Sequence, residues 1–191
     1  MGKQIYLDQL NQLLDNSPVV DFASIQRLVG KKDYAKVLIS NLLKKKKIYK
    51  LGKGCYTKHQ EVSLSVFCFK PAYLGLQNAL SYHRIWEQET IPVILTVKKT
   101  RRGIRTILDS NVLVRHIDKK YFFGFEYVKE GQFYIPYSDL EKTSIDMVVF
   151  NLKIDKEVLK ILKKRIDPKK LKQYLKKYPL VIRQRVQKIL E

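Results

Sequence analysis

Along the first sixty residues the apolar positions recur three times over with the spacing of a helix. Leu7, Leu10, Leu13 and Leu14 mark the first helix, and Phe22, Ile25, Leu28 and Val29 form the stripe of a second that Asp21 can cap. Ala35, Leu38, Ile39, Leu42 and Leu43 line one side of a third, which Asp33 can cap and which should run to about Lys47. Gly30 supplies a tight turn between the second and the third. The period then changes. Ile48-Tyr49-Lys50-Leu51 reads as a strand, Gly52-Lys53-Gly54 as a turn free to take positive φ, and Cys55-Tyr56-Thr57 as the return strand. Three helices closed by a basic hairpin are the pattern of a winged helix-turn-helix, and the spacing predicts one over residues 1–60.

From residue 61 the pattern becomes mixed. Val62, Leu64, Val66 and Cys68 alternate with Ser63, Ser65, Phe67 and Phe69, which predicts a strand ended by Pro71. Tyr73, Leu76, Leu80 and His83 recur at helical spacing to about Tyr82, and Ile91 to Val97 reads as a buried strand. A charged loop follows, ending in Gly103. Next come a strand at Val112 to Ile117 and a hairpin from Tyr121 to Ile135 that turns at about Glu130-Gly131. Ser138 and Glu141 have the spacing of a capping box, which would start a helix carrying Leu140, Ile145, Val148 and Val149.

The last forty or so residues are short amphipathic helices separated by proline. Asp155 can start one with Val158, Leu159, Ile161 and Leu162; Asp167-Pro168 is an N-cap followed by proline at the first helical position; Tyr178-Pro179 repeats the signal before Val181, Val186, Ile189 and Leu190. The expected fold class is α+β: a winged helix-turn-helix over 1–60, then an α+β domain over 61–191 whose basic helices begin at about 151.

Charge divides the chain in the same places. The formal net charge is +20. Residues 1–60 hold 12 Lys/Arg against 4 Asp/Glu, residues 61–150 hold 12 against 10, and residues 151–191 hold 14 against 4. Two basic ends around a nearly neutral middle predict that the ends meet a polyanion while the middle does something else. With 45% hydrophobic residues a packed core is available, so this is no disordered basic tail. Neither an apolar signal core nor a run of roughly 20 apolar residues occurs, which predicts a cytoplasmic protein. The two cysteines, Cys55 and Cys68, lack metal-ligand spacing, and a disulfide between them is not expected in the cytosol.

If Ile39 is central to the buried side of the third helix, then Tyr34, Val37, Ser40, Asn41 and Lys44 point the other way. On duplex DNA that face would put Tyr34, Ser40 and Asn41 at base edges and Val37 against a thymine methyl. Lys31, Lys32, Lys36, Lys44, Lys50 and Lys53 would take phosphates. The bland reading of the same residues is a protein-interaction module with a solvated lysine run at a helix end, where lysines favour the macrodipole. Ribosomal RNA, an acidic protein or anionic lipid would satisfy the same charge argument, although the prolines cut the tail into lengths suited to packing on a domain rather than to lying on a bilayer.

Chemistry for catalysis is sparse. His59, His83 and His116 are scattered, no His-Glu-x-x-His or paired-cysteine motif occurs, and the glycines at 52 and 54 lack the Lys-Ser ending of a phosphate loop. His83 ends a helix, where a histidine more often caps carbonyls than reacts. A nuclease built on the middle segment is a rival reading without a motif; no catalytic residue, metal or cofactor is expected.

Tyr73-Leu74-Gly75-Leu76, Ala79-Leu80-Ser81-Tyr82-His83, Glu87-Gln88 and the segment Ile91 to Val97 resemble the core of the AbiE-type antitoxin family of prokaryotic transcriptional regulators. The Arg101-Arg102 loop, Arg115-His116-Ile117, Phe122 to Phe125 and Glu141-Lys142-Thr143-Ser144-Ile145-Asp146 follow in the order that family shows. The resemblance implies a repressor that binds its own promoter through the winged helix; because a single winged helix reads few base pairs, an operator of repeated half-sites and a dimer on DNA are expected. It also implies a type IV antitoxin that opposes a nucleotidyltransferase-like toxin without having to bind it. Arg101, Arg102 and Arg115 would then contribute to the antitoxin surface. This chain is more compact than the longer members.

Overall fold

The structure, a computed structural model, describes residues 2–190, with side chains from Tyr6. The fold is α+β. It divides into two compact units, Met1–Phe69 with Thr106–Asn111, and Lys70–Arg105 with Val112–Glu191. The first unit thus continues past residue 60 to Phe69.

In the first unit α1 (Gly2–Asn16) is followed by a two-residue strand β1 (Val20–Asp21), α2 (Phe22–Val29) and α3 (Lys32–Lys44). A hairpin, β2 (Tyr49–Gly52) and β3 (Cys55–Thr57), completes a three-stranded sheet in the order β1-β3-β2. The Asp21 side chain caps α2 by accepting from the Ser24 N–H at 2.7 Å, and Gly30 ends that helix in the left-handed region at φ +76. Leu10, Leu14, Ile25, Val29, Ala35, Leu38, Ile39 and Leu42 are buried together, so the three apolar stripes read from the sequence face one core.

Several local expectations are corrected. Asp33 does not cap α3; Lys31 stands at that position without a side-chain bond, and Asp33 lies in the first turn paired to Lys36. The helix stops at Lys44 rather than Lys47, because Lys46 turns to φ +52 and Lys47 N–H returns to the Leu42 carbonyl at 2.9 Å. Val62–Phe69 is a 3₁₀ segment, not a strand. Its alternation had no polar face to exploit, since Phe67 and Phe69 fall among the supposed outward positions, and Ser65 Oγ donates back to the Val62 carbonyl at 2.6 Å, a local bond that competes with a ladder.

The second unit holds most of a six-stranded sheet, of which the segment Thr106–Asn111 is counted with the first unit. Its strands are β4 (Ala72–Leu74), β5 (Val93–Thr96), β6 (Gly103–Ile107), β7 (Ser110–His116), β8 (Phe125–Glu130) and β9 (Phe133–Ser138), in the order β6-β7-β5-β4-β9-β8. β4 pairs antiparallel with β5, while β5 with β7 and β4 with β9 are parallel. Tyr73, expected on a helix, lies on β4, and α4 (Leu76–Tyr82) begins only after it. The hairpin expected from Tyr121 starts its strand at Phe125, because Lys119–Tyr121 forms a 3₁₀ turn capped by Asp118.

The helices that follow are α5 (Leu140–Val149), α6 (Lys156–Arg165), α7 (Pro168–Leu175) and α8 (Leu180–Leu190). Asp155 and Asp167 stand at the N-caps of α6 and α7, and only Asp167 makes the side-chain bonds. The capping box at Ser138 and Glu141 is not formed. Asp139 is the N-cap of α5 and accepts from Lys142 N–H at 2.8 Å; Ser138 ends β9 and its hydroxyl meets that of Thr143 at 2.7 Å. No helix among the described residues is long and apolar enough to cross a membrane.

Candidate nucleic-acid interface

The rotation of α3 is set by its buried side, and what remains outside is an ordered stripe. With Ala35, Leu38, Ile39 and Leu42 in the core, Val37, Ser40, Asn41 and Lys44 are exposed at i, i+3, i+4 and i+7. Val37 keeps 57% of its surface exposed. Lys31 and Lys32 are exposed at the start of the same helix. Lys36 is exposed too, but its ammonium meets the Asp33 carboxylate at 2.9 Å, and that bond holds Asp33 below its ordinary carboxylate value. An exposed pair of this kind is weak enough for another anion to displace.

Tyr34 does not belong to the exposed stripe. It is half-buried against the core of the first unit, one turn before buried Leu38. Lys45, Lys46 and Lys47 are exposed and were not among the expected contacts; the unbroken lysine run was the signal that could have included them.

The hairpin carries two further cations of this unit, Lys50 and Lys53. Gly52 pairs with Cys55, which leaves Lys53-Gly54 as a two-residue turn with Gly54 at φ +73. Lys50 and Lys53 are both exposed. The turn is anchored rather than free, because β1 pairs along β3 (Val20 with Tyr56, Asp21 with Cys55) and Phe22 N–H donates to the Gly54 carbonyl at 2.8 Å. Lys58 is engaged with Asp15 at 2.6 Å.

In the second unit Arg101 and Arg102 are exposed on the loop after β5 and line a pocket of about 490 Å³ with Lys99, Thr100 and His116. Arg115 is not part of it. As the neighbour of His116 along β7 it points to the other face of the strand, and its guanidinium lies 5.1 Å from the Phe150 ring centre.

The motif from Glu141 to Asp146 is buried throughout. Lys142 Nζ bonds Asp146 Oδ1, and the Tyr73 hydroxyl donates to Asp146 Oδ2 at 2.7 Å. The rings of Tyr73, Phe123 and Tyr178 stand 5.4–5.9 Å from that ammonium. Burial pushes Lys142 down and Asp146 up, against the attraction between them. With exposures of 0% and 1%, these two groups are closed to a substrate and act as a polar core.

Around them Asp139 accepts from Tyr174 OH at 2.8 Å and from Lys170 at 3.1 Å, while Glu141 accepts from Asp167 N–H at 2.9 Å and Lys170 at 3.3 Å. Burial, with the Asp139 bond behind it, pushes Tyr174 up to about 12. The motif therefore fastens α5 to α7. His83 ends α4, and its Nε2 donates to the Ser138 carbonyl at 2.9 Å, which makes it a tie between elements. Among the described residues no group of three or more His, Cys, Asp or Glu could hold a metal.

No family model matches this sequence, and no curated protein does. The crystal structure of the Rv2827c protein from Mycobacterium tuberculosis is similar, with a TM-score of 0.61 at 12% identity, over 97% of this chain and 76% of that one. That likeness is one of fold.

Proposed function

We propose that this chain is a cytoplasmic DNA-binding transcriptional repressor whose first unit works as a winged helix-turn-helix. The observation that carries the reading is the exposed Val37, Ser40, Asn41 and Lys44 stripe of α3, preceded by Lys31 and Lys32 and accompanied in the same unit by a glycine-turned hairpin with Lys53 at its turn. On duplex DNA the lysines neutralise phosphates and set the register, Ser40 and Asn41 hydrogen-bond base edges, and Val37 meets a thymine methyl. A single reading helix covers few base pairs, so the operator consists of repeated half-sites occupied by two copies. Following the resemblance to AbiE-type regulators, the repressor is an autoregulating type IV antitoxin, with a nucleotidyltransferase-like toxin as its functional opponent.

The test is a salt titration of the full chain on duplex DNA from its own upstream region. The expected log–log slope is about −0.9 per phosphate contacted. Binding that ignores salt, or a preference for single-stranded RNA in the same titration, overturns the DNA reading. The second outcome favours a basic RNA- or ribosome-associated protein, a reading supported by the 14 Lys/Arg against 4 Asp/Glu of residues 151–191. Protection of cells that express a neighbouring nucleotidyltransferase tests the antitoxin part separately.

A further inference from the structure

The near-neutral charge of the middle segment hides a local concentration. Of its 12 cations, Lys98, Lys99, Arg101, Arg102 and Arg105 fall within eight residues, and no carboxylate occurs between Val97 and Leu108. The sheet decides where this loop stands. β5 and β7 are parallel neighbours in register, Thr96 opposite His116, so the loop leaves the sheet at the carboxyl end of one strand beside the carboxyl end of the other. Crevices at that end of parallel strands are where ligands of open sheets commonly bind.

The loop is held in place by its own polar groups. Thr96 Oγ1 donates to the Pro71 carbonyl and accepts from Lys98 N–H, both at 3.0 Å, and Ile117 N–H donates to the Thr96 carbonyl at 2.9 Å. Arg105 Nη2 donates to Thr100 Oγ1 at 2.9 Å and to the Arg101 carbonyl at 2.5 Å. Arg105 thus supports the loop from within. Lys99, Arg101 and Arg102 are left exposed, and none of the three is in an ion pair among the described residues. These three cations, the Thr100 side chain and the His116 imidazole line the pocket.

We propose that this pocket is a phosphoryl site for a small molecule carrying a di- or triphosphate group. Two guanidiniums offer fork-shaped donor pairs and the ammonium a point charge, a donor set that matches phosphate oxygens. No carboxylate is present to balance the charge, and no aromatic ring other than the imidazole lines the pocket, so the recognised part is the anion rather than a stacked base. The pocket is an open depression broad enough for a phosphate chain to lie across several of these donors at once, whereas a DNA backbone passing over it would present one phosphate at a time.

The experiment is calorimetric titration of the full chain with inorganic pyrophosphate at constant ionic strength, on the wild type, the double variant Arg101→Gln/Arg102→Gln and the control Lys129→Gln. Saturable one-to-one binding is expected, weakened about tenfold or more by the double variant and unchanged by the control. Pyrophosphate should also shift the His116 ring resonances of the wild-type chain, a readout that does not depend on any variant folding. Equal losses in the double variant and the control mean diffuse charge and overturn the proposal. So does an absence of saturation combined with a lower salt slope for duplex DNA in the double variant, which would assign these arginines to the DNA backbone.

Discussion

The backbone N–H of Phe22 donates to the carbonyl of Gly54 at 2.8 Å, so the first residue of α2 is bonded to the turn of the hairpin. A Cβ at Gly54 would stand 3.7 Å from the Phe22 Cβ, an ordinary contact, so space is available and the backbone at φ +73 is the constraint. Gly54→Ala is expected to lower stability by about 1–2 kcal/mol, and Gly54→Asn by less, since asparagine tolerates the left-handed region. Thermal unfolding of both variants checks this. Equal losses would place the cost in the contact with Phe22 instead.

Lys53 and Asn41 should separate positioning from reading. Lys53→Ala should weaken operator and unrelated duplexes alike, because a phosphate contact carries no sequence information. Asn41→Ala should mainly reduce the ratio between them, by roughly 1–3 kcal/mol of discrimination. Competition binding on the two duplexes measures both. Parallel losses for Asn41→Ala would remove it from the reading set.

Asp21 makes the start of α2 sensitive to pH. Its carboxyl accepts the Ser24 N–H and is thereby held below its ordinary value of 3.8. The folded chain binds this proton less readily than the unfolded chain. The stabilisation is therefore fully present above about pH 4 and fades as pH falls through the lowered folded-state value. Asp21→Ala should cost about 0.5–2 kcal/mol at neutral pH and progressively less in acid. Asp21→Asn keeps the acceptor, so its difference from Asp21→Ala should not fade; urea unfolding across pH tests the contrast.

The Lys142–Asp146 pair should behave as a unit. Removing one partner leaves a buried polar group without its counterpart, so Lys142→Met or Asp146→Leu alone should cost about 3–5 kcal/mol. The double variant should cost clearly less than the two together, and adding Tyr73→Phe, which removes the hydroxyl that Asp146 accepts from, should recover more. Urea unfolding of the cycle gives the coupling. Additive losses would mean that the pair is not coupled.

Punctuation was the most legible part of this chain. The Asp21 cap, the Gly30 turn, the glycine-flanked Lys53 and Asp167-Pro168 stand where their residue types predict, because each depends on neighbours three or four positions away. The misplacements at Asp33 and at Ser138-Glu141 have a common origin. In each case an acidic group with cap spacing had a competing partner, Lys36 for Asp33 and the distant Asp167 N–H and Lys170 for Glu141.

The candidate interface was readable to the extent that burial of one helix side dictates the other. Ala35, Leu38, Ile39 and Leu42 announced a core face, and Val37, Ser40 and Asn41 followed as its complement; Tyr34, on the border of the two, was decided by packing. The pocket after β5 was only half readable. Arg101 and Arg102 stood out as charge, but His116 joins them through a strand pairing about twenty residues away in sequence.

By itself the sequence determined the helical stripes, the caps at Asp21 and Asp167, the glycine turns, the partition of charge and the mixed α+β class, since periodicity, backbone preference and formal charge are properties of short stretches. Only the tertiary structure decided that Val62–Phe69 coils instead of extending, that Tyr73 enters a sheet, and that Lys142 and Asp146 are buried together among three aromatic rings. A buried charge is tolerated only when its partner is in place, and the partners here, such as Tyr73 for Asp146, lie as much as 73 residues apart.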